Sequence, residues 1–135
     1  MTGVEGRRKI LIVDDEAEVT HSLSAILANY EYDVRVAGTA EKAVETIAQW
    51  QPDLAIVDVV LPRMSGIDLA VVIRETHPRC QIVLFSGTQT TQSLLEEAAT
   101  KGHLFEVLAK PVHPMFMVDY VSSRLAGKRR KTPAN

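Results

Sequence analysis

The chain has 135 residues, 15 Lys+Arg against 17 Asp+Glu, a formal net charge of −2 and 46% apolar residues. That length supports one domain with a real core, and the composition excludes default disorder and any global pull toward nucleic acid or anionic lipid. A single cysteine, Cys80, excludes an internal disulfide, and no apolar run approaches the roughly 18 residues of a membrane span, so a cytoplasmic setting is expected.

Ile10, Leu11, Ile12 and Val13 are continuously apolar, as a strand buried on both faces must be. The period then turns helical, with Val19, Leu23, Ile26, Leu27 and Tyr30 on one stripe. Residues 33–37 alternate, which predicts an edge strand. A second stripe follows at Ala40, Ala43, Val44, Ile47 and Trp50, with Thr39 placed to cap it and Pro52 beyond its end. Residues 54–57 are a third apolar strand. Ser65-Gly66-Ile67-Asp68 reads as a capping box that opens a helix carrying Leu69, Val72 and Ile73, with Pro78 as its stop. Residues 82–85 form the fourth strand, and Leu94, Leu95 and Ala98 the next stripe, closed by Gly102. Residues 105–109 are a less pure fifth strand, and Pro114 opens a helix with Met115, Val118, Val121 and Leu125.

Five such alternations predict an α/β domain, a parallel sheet with helices on both faces, over residues 9–126. Residues 1–8 and 127–135 read as loose ends. The second of these carries the basic run Lys128-Arg129-Arg130-Lys131, read as a solvated end; a contact with nucleic acid or anionic lipid would collapse with salt.

In an open parallel sheet, ligands bind at the carboxyl ends of the strands. The first strand delivers Asp14 and Asp15 there, the third Asp58, the fourth Ser86, Gly87 and Thr88, and the fifth Lys110 and Pro111. Alone, an Asp after a strand is most often a helix cap, a Ser-Gly a turn, and a Lys a solvated strand end. Together they are hard to explain as caps. Two carboxylates about 4 Å apart at an effective dielectric near 20 repel by roughly 4 kcal/mol, so three require a cation or a proton among them. Oxygen ligands without a Cys/His set suit Mg²⁺ or Mn²⁺ rather than zinc. His21, His77, His103 and His113 share no ligand spacing and read as surface or packing residues. With a cation bound, one carboxylate is free to act as nucleophile on a phosphoryl group, and Lys110 and the Ser86 hydroxyl would neutralise and orient its oxygens.

The chain resembles the receiver domain of two-component response regulators over about residues 8–126. The resemblance is carried by Val13-Asp14-Asp15-Glu16, by Val57-Asp58-Val59-Val60-Leu61-Pro62-Arg63-Met64-Ser65-Gly66, by Leu84-Phe85-Ser86-Gly87 and by Ala109-Lys110-Pro111. It implies a doubly wound five-stranded parallel sheet of flavodoxin-like order 2-1-3-4-5. It makes Asp58 the phosphoacceptor, and gives Mg²⁺ to Asp14, Asp15, Asp58 and the backbone carbonyl of Val60. Ser86 becomes the hydroxyl that follows the phosphoryl group, and Lys110 the family lysine, followed by a cis bond to Pro111. The implied donor is a sensor histidine kinase or a histidine phosphotransfer protein, and the output an unknown protein target, through a monomer or a phosphorylation-linked dimer. Such a module is not an enzyme acting on a separate substrate, although it catalyses its own phosphorylation and dephosphorylation.

The family usually has an aromatic residue three places before the lysine; here that place is Val107, with Phe105 on the same face of the strand. Ser86, Phe105 and Val107 are therefore the switch candidates. Val60 and Thr88 flank the expected route of an attacking water, and an apolar Val60 points to a long-lived phosphoaspartate. Three rivals are weaker. A Rossmann-type nucleotide domain or a flavodoxin-like carrier needs a phosphate-cradling loop where this chain has Asp14-Asp15-Glu16. A haloacid-dehalogenase-like phosphatase normally has a second acid where Val60 stands. Within the receiver reading, the alternatives are a phosphorelay intermediate or phosphate sink, and a fragment of a larger regulator. About 120 residues are used by the receiver itself, so output is expected through a partner's surface unless the chain is such a fragment.

Overall fold

A computed structural model of the protein describes residues 6–87 and 91–126. Ten elements alternate along it: β1 (Lys9–Val13), α1 (Ala17–Asn29), β2 (Asp33–Ala37), α2 (Ala40–Gln49), β3 (Leu54–Asp58), α3 (Gly66–Thr76), β4 (Gln81–Ser86), α4 (Thr91–Thr100), β5 (Glu106–Ala109) and α5 (Pro114–Ala126). All strand pairs are parallel and the order is β2-β1-β3-β4-β5, as the resemblance implies. The basic run at residues 128–131, the expected loose end at 127–135 and residues 1–5 of the one expected at 1–8 lie outside the described residues.

Strand alternation divides the interior into two cores. Leu11, Val13, Ala55, Val57, Ile82 and Leu84 face α2, α3 and α4, whereas Ile10, Ile12, Leu54, Ile56, Val83 and Phe85 face α1 and α5. A side chain such as Leu11 or Leu84, fully removed from water, stabilises the fold by roughly 2 kcal/mol. The central strands therefore cannot slip by one residue without exchanging their two apolar faces.

The helical stripes need a modest correction. Val44, Val72, Met115 and Tyr30 are exposed, while Met117, off the expected stripe, is fully buried. Met117, Val118, Val121 and Leu125 form the buried face of α5, and Met115 lies about 100° around the helix from its centre. Thr39 caps α2 by accepting the Lys42 N–H at 3.1 Å. Ser65 caps α3, but from the second helical residue: its hydroxyl accepts the Ile67 N–H at 3.0 Å, and Asp68 makes no return bond, so the expected box is only half formed.

The loop between β3 and α3 brings the chain back over the end of its own strand. Arg63 turns through the left-handed region, at φ +70°, and the Gly66 N–H then donates to the Val59 carbonyl at 2.7 Å. A Cβ at Gly66 would sit 1.9 Å from the Asp58 carbonyl oxygen and 2.9 Å from the Val59 Cα, both backbone atoms with little freedom to retreat. Glycine is required there by contact. Gly66→Ala is expected to destabilise the protein by about 1–3 kcal/mol in a urea unfolding experiment, the usual cost of overpacking a tight site. An unchanged midpoint would refute that contact.

Candidate functional site

The strand ends meet as the alternation demanded. Asp14 and Asp15 follow β1, Asp58 ends β3, Ser86 ends β4 and Lys110 follows β5, all on the carboxyl edge. Asp14 and Asp58 are buried, at 3% and 5% exposure, and Ser86 is buried beside them, whereas Asp15 is exposed. One carboxylate oxygen from each of Asp14, Asp15 and Asp58 lies within 4.8 Å of the others.

The alternative reading of Asp14 or Asp15 as a helix cap fails: the cap position of α1 is Glu16, and no side chain caps it. Asp14 Oδ1 instead accepts the Glu16 N–H at 2.9 Å, a local turn that aims the other oxygen inward. Asp58 Oδ1 accepts the Val60 N–H at 3.2 Å, which fixes the carboxylate at the end of its strand.

Lys110 closes the cluster from the opposite side. Its Nζ lies 3.1 Å from Asp14 Oδ2, 3.2 Å from Asp58 Oδ2 and 3.2 Å from Glu16 Oε1. The bonds to Asp58 and Glu16 are aligned hydrogen bonds. The Asp14 contact is an ion-pair distance without alignment, and buried Asp14 Oδ2 accepts no hydrogen bond among the described residues. The Lys110 N–H donates to the Ser86 carbonyl at 2.9 Å, tying the strand ends together, and the Lys110-Pro111 bond is cis as expected.

The charges are uneven. Burial raises the Asp58 carboxyl above the ordinary value of 3.8, and the Asp14 charge adds to this against the opposing pull of the Val60 N–H and Lys110. Burial alone would lower the Lys110 ammonium, but Asp14 and Asp58 outweigh it and hold the amine protonated above its usual range. A buried carboxylate oxygen met by Lys110 only at ion-pair distance, in a set of hard oxygen ligands with surplus negative charge, fits a hard divalent cation.

Two of the switch candidates stand apart from this edge. Val107, 38% exposed, pairs with Leu84 across β4 and β5, two positions before Ser86 and Ala109. Phe105 precedes β5, beyond the end of that ladder farther from Ser86. It packs against the α2–α4 core, with the Arg74 guanidinium 4.2 Å from its ring centroid and the His103 ring stacked at 6.3 Å. Val60 is 57% exposed at the rim, and Thr88 lies outside the described residues. Sequence reading missed Glu16 as a partner of Lys110, although it directly follows the acidic pair; a long, flexible side chain carries no spacing signal.

Comparison with known proteins agrees with this fold. The model of the response regulator receiver domain matches residues 10–122. The DNA-binding response regulator MtrA of Mycolicibacterium paratuberculosis is 30% identical over 119 residues, covering 88% of this chain and 52% of that protein. The response regulator protein PilR of Pseudomonas aeruginosa is 33% identical over 106 residues, covering 78% of this chain and 23% of that protein. The chain thus spans about half the length of the first of these relatives and less of the second. A CheY-like receiver domain from Methanospirillum hungatei superposes with a TM-score of 0.81 at 24% identity, covering 90% of this chain and 96% of that one, which shows the shared fold.

The raised Asp58 pKa has a consequence for stability. A carboxyl that titrates higher in the folded state favours folding when protonated, and that contribution is lost as pH rises from about 3.8 through the raised value. In metal-free buffer at pH 7, Asp58→Asn is therefore expected to melt a few degrees higher than wild type, with the gap shrinking toward pH 4. A variant that melts lower at pH 7 would show that the Lys110 contact outweighs the burial.

Proposed function

The chain belongs to the response regulator receiver domain family, and on that footing we propose that it is a phosphoacceptor that takes a phosphoryl group from a phosphohistidine donor onto Asp58. The observation that carries this reading is a buried Asp58 carboxylate, held by the Val60 N–H and the Lys110 ammonium beside two further aspartates at one sheet edge.

In the transfer, an Asp58 oxygen attacks phosphorus. The new O–P bond forms as the N–P bond of the donor breaks, and the electron pair stays on the imidazole nitrogen. Asp14, Asp15, Asp58 and the Val60 carbonyl would hold Mg²⁺, which supplies positive charge to the phosphoryl oxygens in flight. Asp14 and Asp15 hold their carboxylates at the mouth of β1 and take no part in bond making. Lys110, fixed through the Ser86 carbonyl and its own ion pairs, brings a permanent positive charge to within reach of the incoming group. The Ser86 hydroxyl is the donor that moves toward a phosphoryl oxygen. Hydrolysis reverses the attachment: water attacks phosphorus, the acyl O–P bond breaks, and Asp58 leaves as a carboxylate with inorganic phosphate released.

Phosphorylation would bias a two-state equilibrium in the loops around Ser86 and Lys110. Val107 stands where the family usually has an aromatic residue, and Phe105 is clamped by Arg74 far from Ser86. The switch we propose therefore runs through Ser86 and Lys110 without an aromatic rotation, toward a protein partner in the cytoplasm. Among the described residues no helix is long and apolar enough to cross a membrane. The DNA binding named for MtrA belongs to a protein of which this chain covers 52%, and it is not assigned here.

Incubation with acetyl phosphate and Mg²⁺, followed by intact mass measurement, tests the reading. Wild type should gain one phosphoryl group and Asp58→Asn none; equal gain by both, or none by wild type, sinks it. Lys110→Ala should still gain the group but lose any phosphorylation-dependent pull-down of a partner. The apolar, exposed Val60 side chain has no group to orient a water, so the phosphoaspartate should persist for minutes or longer. Its disappearance within seconds in buffered Mg²⁺ would refute that role for Val60.

A further inference from the structure

Lys110 carries three N–H donors and has three carboxylates around it, of which the phosphoacceptor reading uses two. The third, Glu16, has so far no task. It occupies the cap position of α1, where Ser, Thr, Asp or Asn would normally serve, yet its side chain makes no cap bond. That side chain is 62% exposed and could lie in water, but it reaches Lys110, 94 positions away in sequence, with an aligned hydrogen bond of 3.2 Å. The two aligned bonds of the ammonium thus go to Asp58 and Glu16. Asp14 Oδ2, at 3.1 Å the nearest of the three oxygens, meets the ammonium as an ion pair outside that alignment.

We infer that Glu16 is a positioning residue for Lys110: it takes one donor of the ammonium at the mouth of the acidic cluster and so weakens the hold of the ammonium on the buried oxygen of Asp14, for which a divalent cation would compete. The inference rests on the reading of that cluster given above and adds a residue to it. Without Glu16, the ammonium has only the two buried aspartates to satisfy it, and its attraction to Asp14 competes directly with the cation for the same oxygen. With Glu16 present, one donor is turned outward and that competition is relieved. Glu16 touches neither the phosphoacceptor nor the reacting atoms, so any effect it has must pass through Lys110.

A double-mutant cycle read by Mg²⁺ titration calorimetry on the unphosphorylated protein tests this, with circular dichroism to confirm that each variant is folded. Glu16→Gln keeps the size of the side chain and removes its charge. It is expected to weaken Mg²⁺ binding by about threefold to fivefold, the scale of one part-exposed ion pair. In the Lys110→Ala background the same substitution should change affinity by less than about twofold, because the residue it acts through is gone. An equal loss in both backgrounds would overturn the inference and make Glu16 a charge acting on the cation itself. No loss in either background overturns it as well. Wild type that binds no Mg²⁺ at all would remove the acidic-cluster reading, and the role of Glu16 with it; Mg²⁺ binding without the coupling removes only the role of Glu16.

Discussion

Most of what is particular to this site depends on one ammonium group set among buried carboxylates. Asp14 and Asp58 are almost wholly withdrawn from water, and like charges at that depth repel by several kcal/mol unless something positive stands between them. Lys110 is that group. It neutralises only part of the charge at this edge, which also carries Asp15 and Glu16, so the site stays poised for a further cation. Both partners hold their protons more firmly than usual, Asp58 because burial and the Asp14 charge disfavour its ionised form, and Lys110 because Asp14 and Asp58 favour its charged form. A carboxylate kept at the end of a rigid strand and faced by a permanent positive charge is prepared for an electrophilic phosphorus before any donor arrives.

The scaffold makes that concentration of charge affordable. Strands apolar on both faces are pinned in register by two separate cores, and their ends are therefore fixed relative to one another to within the tolerance that a charge cluster needs. Backbone bonds finish the job at the edge itself: Lys110 to Ser86, Val59 to Phe85, Gly66 to Val59 and Asp14 to Ala37 link consecutive strand ends and loops. Gly66 is the tightest of these points, because the helix that follows the acceptor strand begins in contact with the backbone of Asp58. Stability and reactivity meet there.

The opposite end of β5 tells a different story. Arg74 lies over the Phe105 ring and donates to the Leu104 carbonyl at 2.7 Å, while His103 stacks on the same ring and approaches Glu75 at 3.5 Å. The aromatic residue nearest to the usual switch position is thus held against α3. Residue spacing placed Phe105 and Val107 on one face of a strand; it could not show that the strand begins at Glu106, nor that the Arg74 guanidinium from α3 covers the ring.

By itself the sequence determined the α/β alternation, the parallel sheet, the caps at Thr39 and Ser65, and the meeting of Asp14, Asp15, Asp58, Ser86 and Lys110 at one edge. Those features follow from local periods and from a rule about where strand ends lie, and both are written in short windows of residues. The tertiary structure decided which helix positions were covered, exposing Val44, Val72 and Met115 and burying Met117, because coverage depends on how each helix sits on the sheet. It also decided the Lys110 contacts with Asp14, Asp58 and Glu16, and the clamp on Phe105. Those contacts join residues far apart in sequence through long side chains, and only the packed sheet fixes the distances between them.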